Sequence, residues 1–211
     1  MSTIKVYIEG GGDSSKLQKA LKRGFSSFFS RAGLSGKMPK PVACGSRQNA
    51  FDSFCTALSN APKTGDLPFL LVDSETVVTA KAVWGHVKSR KGDNWTRPTH
   101  ATGDHLHFMV ECMEAWFMAD KATLANYFGK GFQASSLPAR TDIETIPKAT
   151  LYSSLTAATR HTKTKGKYGK GEHSFEILGK IDPAKVLAAS PYAQRLITKL
   201  KNPTTPLNDG K

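Results

Sequence analysis

The chain has 211 residues, of which 39% are hydrophobic and 22% charged, enough for one sizeable domain or two small ones and unlike a disordered polymer. Its 30 Lys and Arg against 17 Asp and Glu leave a net charge of +13, which favours an anionic partner such as nucleic acid or a membrane surface. The longest apolar run, Leu67 to Val72, contains Pro68 and is too short to cross a bilayer, which leaves no membrane-spanning segment.

The N-terminus begins with the strand-like run Ile4-Lys5-Val6-Tyr7-Ile8 and lacks the apolar core of a signal peptide. That run leads directly into Glu9-Gly10-Gly11-Gly12-Asp13. Leu17, Leu21, Phe25, Phe28, Phe29 and Ala32 then recur at helical spacing, with Asp13 placed to cap the helix and Gly33 and Gly36 to end it. Pro41 to Cys44 reads as a second strand, and Ala50, Phe51, Phe54, Ala57 and Leu58 mark a second amphipathic helix. Phe69-Leu70-Leu71-Val72 is continuously apolar, as in a strand buried on both faces, and stops at Asp73-Ser74-Glu75.

Strand, helix, strand, helix, strand at this spacing predicts an α/β fold, a mainly parallel sheet with helices on both faces. Residues 89–104 read as a loop, His105 to Val110 as a further strand, and Cys112 to Tyr127 as a helix. Beyond an irregular stretch over 129–148, helices are expected at about 149–160, from Pro183, and over about 191–201, before a frayed tail from Asn202. No linker separates independent domains, so residues 1–200 are expected to form one unit with a helical C-terminal part. Cys44, Cys55 and Cys112 cannot all pair and show no CxxC spacing, as expected of reduced thiols in a cytoplasm.

Ligand sites in parallel sheets lie at the carboxyl ends of the strands, where Glu9 and Asp73 both fall. A carboxylate directly after a buried strand is costly unless it is solvated, hydrogen-bonded or cation-bound. The glycines after Glu9 allow a phosphate or metal close to the backbone, although a plain glycine turn beside an incidental acid gives the same pattern. The segment lacks the Gly-Lys-Ser/Thr ending of a Walker loop and the third glycine of a dinucleotide fingerprint. Asp73 and Glu75, two apart in extended backbone, share one side and can reach a common point. Oxygen-only ligands suit Mg²⁺ or Mn²⁺ rather than zinc.

Arg160, His161, Lys163, Lys165, Lys167 and Lys170 form a run without an acid, and glycines at 166, 169 and 171 let it follow a phosphate backbone. Tyr168 is placed to stack on a base, and Lys167 or Lys170 to stabilise transition-state charge. A flexible, solvated loop is the alternative. Arg47, at a helix start after Gly45, is a further phosphate-binding candidate. Glu111 and Glu114 share one face of the expected helix, either solvated or functional, opposite the apolar Met109, Met113, Trp116 and Phe117. His105 and His107 lack the further ligands of a zinc site.

Val6-Tyr7-Ile8-Glu9-Gly10 and Leu70-Leu71-Val72-Asp73-Ser74-Glu75 resemble the Toprim domain of topoisomerases, primases and OLD-family nucleases, in which one strand ends in Glu-Gly and a later one in Asp-x-Asp. Here the second acid of that pair is Glu. Val42-Ala43-Cys44-Gly45-Ser46-Arg47, Met113-Glu114-Ala115-Trp116-Phe117 and Tyr168-Gly169-Lys170 look like an uncharacterised bacterial family with a Toprim-like core, often encoded beside an ABC-type or AAA-type ATPase and linked to antiphage defence. The resemblance implies that Glu9 is a general acid/base and metal ligand, that Asp73 and Glu75 are metal ligands, and that Glu114 is a further one. It therefore implies a cytoplasmic Mg²⁺-dependent nuclease that cuts DNA or RNA, with an ATPase partner. A non-catalytic nucleic-acid-binding or adaptor subunit is the alternative, and a nucleotide-processing enzyme with the same carboxylates a third reading.

Overall fold

A computed structural model describes residues 2–171 and 173–207. Four strands, β1 (Ile4–Ile8), β2 (Lys40–Ala43), β3 (Leu67–Asp73) and β4 (Leu106–Met109), form one sheet in the order β2-β1-β3-β4. Every pairing is parallel, with Ile8 opposite both Ala43 and Leu71, and Asp73 opposite Met109. All four carboxyl ends therefore share one edge. A parallel sheet requires crossovers, and these supply helices to both faces.

Side chains alternate along the strands and divide the core in two. Val6, Ile8, Phe69 and Leu71 face one side, where they pack with Phe25, Phe28 and Phe29 of α1 (Ser15–Phe29) and with the C-terminal helices. Leu70, Val72 and Phe108 face the other, against Ala50, Phe54 and Leu58 of α2 (Arg47–Thr64) and Trp84 and Val87 of α3 (Val83–Ser89). The two apolar layers are the α/β architecture that the alternating sequence pattern predicts. Helix α3 was not anticipated, because seven residues are too few to show a period.

Several expectations are corrected. Ser14, not Asp13, caps α1, its Oγ accepting from the Leu17 N–H at 3.4 Å. The single helix expected over Cys112–Tyr127 is a run of 3₁₀ turns, Met113–Asp120, followed by α4 (Lys121–Phe128). It breaks at Asp120, whose carboxylate takes the Asp182 N–H at 2.9 Å and the Lys185 ammonium at 2.7 Å. The segment has no solvated face: Met113 to Met118 are all buried. The C-terminal part consists of α5 (Lys148–Ala158), α6 (Ser174–Leu178), α7 (Pro183–Ala189) and α8 (Pro191–Lys201). The tail is held rather than frayed as far as Leu207, whose N–H donates to Asp104 Oδ2 at 3.1 Å, and residues 208–211 lie outside the described part. No helix among the described residues is long and apolar enough to cross a membrane.

Candidate metal centre

Glu9, Asp73 and Glu75 converge at the carboxyl edge, with a carboxylate oxygen from each lying within 4.8 Å of the others. Adjacent pairing of β1 with β3 brings Glu9 beside Asp73, and the Glu9 N–H donates to Leu71 O at 3.2 Å. Glu75 arrives by a different route from the one its spacing suggests. The strand ends at Asp73, and Glu75 has a left-handed backbone (φ 68°), so a turn rather than strand alternation carries its side chain back. The Glu75 N–H donates to Glu111 O at 3.0 Å, and Glu111, itself at φ 57°, donates its N–H to Ser74 Oγ at 2.8 Å. Two strained residues brace one another.

Two cations from the chain hold these acids. Lys148 Nζ lies 2.8 Å from both Glu75 oxygens and 3.3 Å from Asp73 Oδ2. Arg47 lies 3.0 Å from Glu9 Oε2 through Nη1, pairs bidentately with Asp93 at 2.6 and 2.7 Å, and donates to the Asp73 carbonyl. Its guanidinium also sits 4.9 Å from the centroid of Trp95. Burial and the neighbouring Glu9 push the Asp73 carboxyl up to about 7, against the opposing pull of Lys148. Burial acts to lower the Lys148 and Arg47 pKa values, but the acids around them prevail and hold both above their ordinary values.

Lys148 occupies this place because of a helix start. Glu111 Oε2 accepts the Lys148 N–H at 2.9 Å, satisfying a donor of the first turn of α5 and fixing that turn to the strand ends. Glu111 is thus a structural anchor. Glu114 is 1% exposed and accepts hydrogen bonds from Tyr168 at 2.8 Å and Tyr152 at 3.1 Å. Burial and the Glu114 carboxylate raise both tyrosine pKa values, so the hydroxyls remain donors. Asp73 Oδ1 accepts the Met113 N–H at 3.1 Å.

A cavity of about 310 Å³ opens beside the acids, lined by Glu9, Gly10 to Gly12, Asp73, Glu114, Lys170 and Phe175 among others. The glycines serve a close approach of two loops. Gly10 and Gly45 exchange N–H···O bonds at 2.9 and 3.0 Å, and a Cβ on Gly45 would lie 3.1 Å from Gly12 O.

The sequence-derived candidates divide accordingly. Glu9, Asp73, Glu75, Glu114 and Lys170 come together, the Lys170 ammonium lying 5.4 Å from the Tyr152 ring centroid. Arg47 is not free for phosphate, being half-buried and held in ion pairs, and Tyr168 cannot stack on a base, being 7% exposed and bonded to Glu114. Arg160, Lys163 and Lys167 are exposed and lie outside the cavity lining, which removes Lys167 as a group at the acids. Lys165 pairs with Glu176 at 3.4 Å and lies over the Tyr127 ring. His107 donates to Asp104 O through Nε2 at 2.9 Å and accepts from Arg195 through Nδ1 at 3.2 Å, which commits it to β4. Lys148, Asp93 and Trp95 were missed, because nothing local distinguishes a lysine after a proline or an acid in a loop.

A family profile described as "Domain of unknown function (DUF4276)" matches residues 8–201. The chain belongs to the DUF4276 family. The matched span of this DUF4276 chain includes Glu9, Asp73, Glu75, Lys148 and Lys170, and so the whole candidate centre. No curated protein and no solved structure matches the chain.

Proposed function

We propose that this DUF4276 chain is a metal-dependent nuclease that hydrolyses phosphodiester bonds in DNA or RNA. The observation that carries the reading is the convergence of Glu9, Asp73 and Glu75 within 4.8 Å at the carboxyl edge of a parallel sheet. Three carboxylates fit a hard divalent cation, Mg²⁺ or Mn²⁺, and none of the three offers a zinc-preferring nitrogen or sulfur. Such a cation, when bound, neutralises phosphate charge and lowers the pKa of a bound water. The remaining roles fall to the chain itself. Arg47 orients Glu9, and its own fork is fixed by Asp93. Lys170, at the cavity wall, supplies positive charge to phosphate oxygens. Glu114, oriented by its two tyrosines, offers a further carboxylate to the same cavity. Arg160, Lys163 and Lys167 contact phosphates beyond it.

Purified protein with Mg²⁺ or Mn²⁺ is expected to cut labelled oligonucleotides, and Glu9→Gln and Asp73→Asn to abolish cutting. Folded wild-type protein that cuts neither DNA nor RNA with either cation, alone or with an ATPase partner, overturns the reading.

One observation favours a second reading, a non-catalytic nucleic-acid-binding or adaptor subunit. Arg47 and Lys148 pair with all three acids, so the chain balances their charge itself. Under that reading Glu9→Gln keeps function, while charge reversal of Lys163, Lys165 and Lys167 abolishes it. The ABC- or AAA-type ATPase partner and the antiphage role rest on the resemblance to the uncharacterised bacterial family with a Toprim-like core, and the cytoplasmic setting on the free thiols of Cys44, Cys55 and Cys112; co-purification with the ATPase tests the first of them.

A further inference from the structure

The two cations at the acids are held in different ways. Asp93 accepts from both sides of the Arg47 fork at 2.6 and 2.7 Å, Arg47 Nη1 donates to the Asp73 carbonyl, and the guanidinium lies over Trp95. Nothing comparable holds Lys148. Among the described residues its ammonium hydrogen-bonds only to Asp73 and Glu75, and its side chain is 24% exposed against 13% for Arg47. The main chain of Lys148 is pinned separately, since Glu111 accepts its N–H at 2.9 Å. The side chain can therefore swing toward solvent while the first turn of α5 stays in place.

The atoms that bind the ammonium are also those that a metal needs. Both Glu75 oxygens lie 2.8 Å from Lys148 Nζ. Asp73 gives Oδ1 to the Met113 N–H and Oδ2 to Lys148 at 3.3 Å. A divalent cation on these oxygens would sit against a like charge, so the two compete for one place. With neither present, Asp73, only 6% exposed, would face Glu9 and Glu75 uncompensated.

We propose that Lys148 is the exchangeable counter-ion of the acidic centre: its ammonium holds Asp73 and Glu75 until a divalent cation takes them over, and then swings out to solvent. The proposal rests on the reading of Glu9, Asp73 and Glu75 as a metal centre and names what controls entry to it. Arg47 stays on Glu9 throughout, fixed by Asp93 and Trp95. Lys148 thereby sets the affinity of the centre, because any incoming cation must outcompete it. The balanced charge of the resting chain is then the waiting state of a metal centre.

The test is isothermal titration of Mn²⁺ into wild type, Lys148→Met and Lys148→Arg, with circular dichroism to check folding. Lys148→Met removes the competing charge and is expected to bind Mn²⁺ at least about tenfold more tightly than wild type. A lysine that only braces the fold gives the opposite sign, because its loss loosens the acids. Lys148→Arg keeps a cation whose fork matches a carboxylate, and is expected to bind Mn²⁺ no more tightly than wild type. Wild type supplies a second readout that needs no variant, acetylation of lysine amines followed by mass spectrometry with and without saturating Mn²⁺. Lys148, tied to two carboxylates, is expected to label slowly without Mn²⁺ and faster with it, while the exposed Lys163 labels equally in both. Folded Lys148→Met that binds Mn²⁺ no more tightly than wild type, or Lys148 labelling that does not rise with bound Mn²⁺, overturns the exchange and leaves the metal centre standing. Absence of Mn²⁺ binding by both wild type and folded Lys148→Met overturns the metal centre, and the exchange with it.

Discussion

At the carboxyl edge of the sheet, Glu9, Asp73 and Glu75 are each met by a cation of the chain, and Arg47 and Lys148 are half-buried in doing so. In the 160–170 segment, Arg160, Lys163 and Lys167 stand exposed with no ion pair among the described residues. The first arrangement is expensive to disturb, because removing one partner leaves a charge with little water around it. The second costs almost nothing to change, because water solvates each charge already. Stability therefore reports on the acidic edge and is nearly blind to the basic segment, whereas binding to a polyanion is expected to report on the segment.

The largest expected effect is on activity at the edge. Asp73→Asn is expected to lower metal-dependent cleavage by at least about 10²-fold and to remove Mn²⁺ binding in isothermal titration. A variant that binds Mn²⁺ as wild type would erase the functional half of the contrast.

Lys148→Met comes next and tests the paired half. It leaves Asp73 and Glu75 facing each other without their cation, and is expected to cost about 3 kcal/mol in denaturant unfolding. Added Mn²⁺ should restore part of that loss, since a cation at the acids replaces the missing charge. An unchanged unfolding midpoint would place the edge in the same class as the basic segment. Arg47→Lys keeps the charge but loses the bidentate grip on Asp93, with an expected cost of about 2 kcal/mol.

His107 extends the comparison to a buried group at which burial and a guanidinium outweigh the pull of the nearby Asp104. Burial and the Arg195 guanidinium push its pKa down to about 3, so the folded protein holds it neutral while the unfolded chain protonates it near 6.5. The unfolded state then binds the extra proton between these values, and stability falls as pH drops through that window, by up to about 1.4 kcal/mol per pH unit. Asp73, held at about 7 in the fold, contributes a slope of opposite sign over the same range, so the comparison isolates the imidazole: in urea melts at pH 7, 6 and 5, acidification is expected to be less favourable to wild type than to His107→Gln. Equal slopes would mean that the imidazole is not the group responsible.

The smallest stability effect belongs to the exposed region. Lys163→Gln/Lys165→Gln/Lys167→Gln is expected to shift unfolding by less than about 0.5 kcal/mol, while anisotropy with an oligonucleotide detects weaker binding and a shallower salt dependence. A large drop in stability would show the segment to be part of the core framework.

Much of the framework was legible from local pattern. The strand after Pro68, the amphipathic stripe of α1 and the helix over 191–201 follow from apolar spacing, since one buried face writes its period into the chain. Glu9 and Asp73 were legible because each follows a strand, and parallel strands put their carboxyl ends together. Glu114 was legible as an acid but not in its setting, because a buried 3₁₀ run has no polar stripe to reveal its face. Tyr168 looked like an exposed aromatic in a basic run, and its burial depends on a glutamate 54 positions away.

The net charge of +13 and the order of the strands and of the longer helices α1, α2 and α8 were fixed by composition and by the short-range periodicity of apolar residues, which needs no partner to be read. Which charges cancel was decided only in three dimensions. Lys148 reaches Asp73 across 75 positions and Arg47 reaches Asp93 across 46. Coulomb attraction and desolvation depend on distance and burial rather than on sequence separation, so only the folded chain could sort its cations into those that hold the acids and those left facing water.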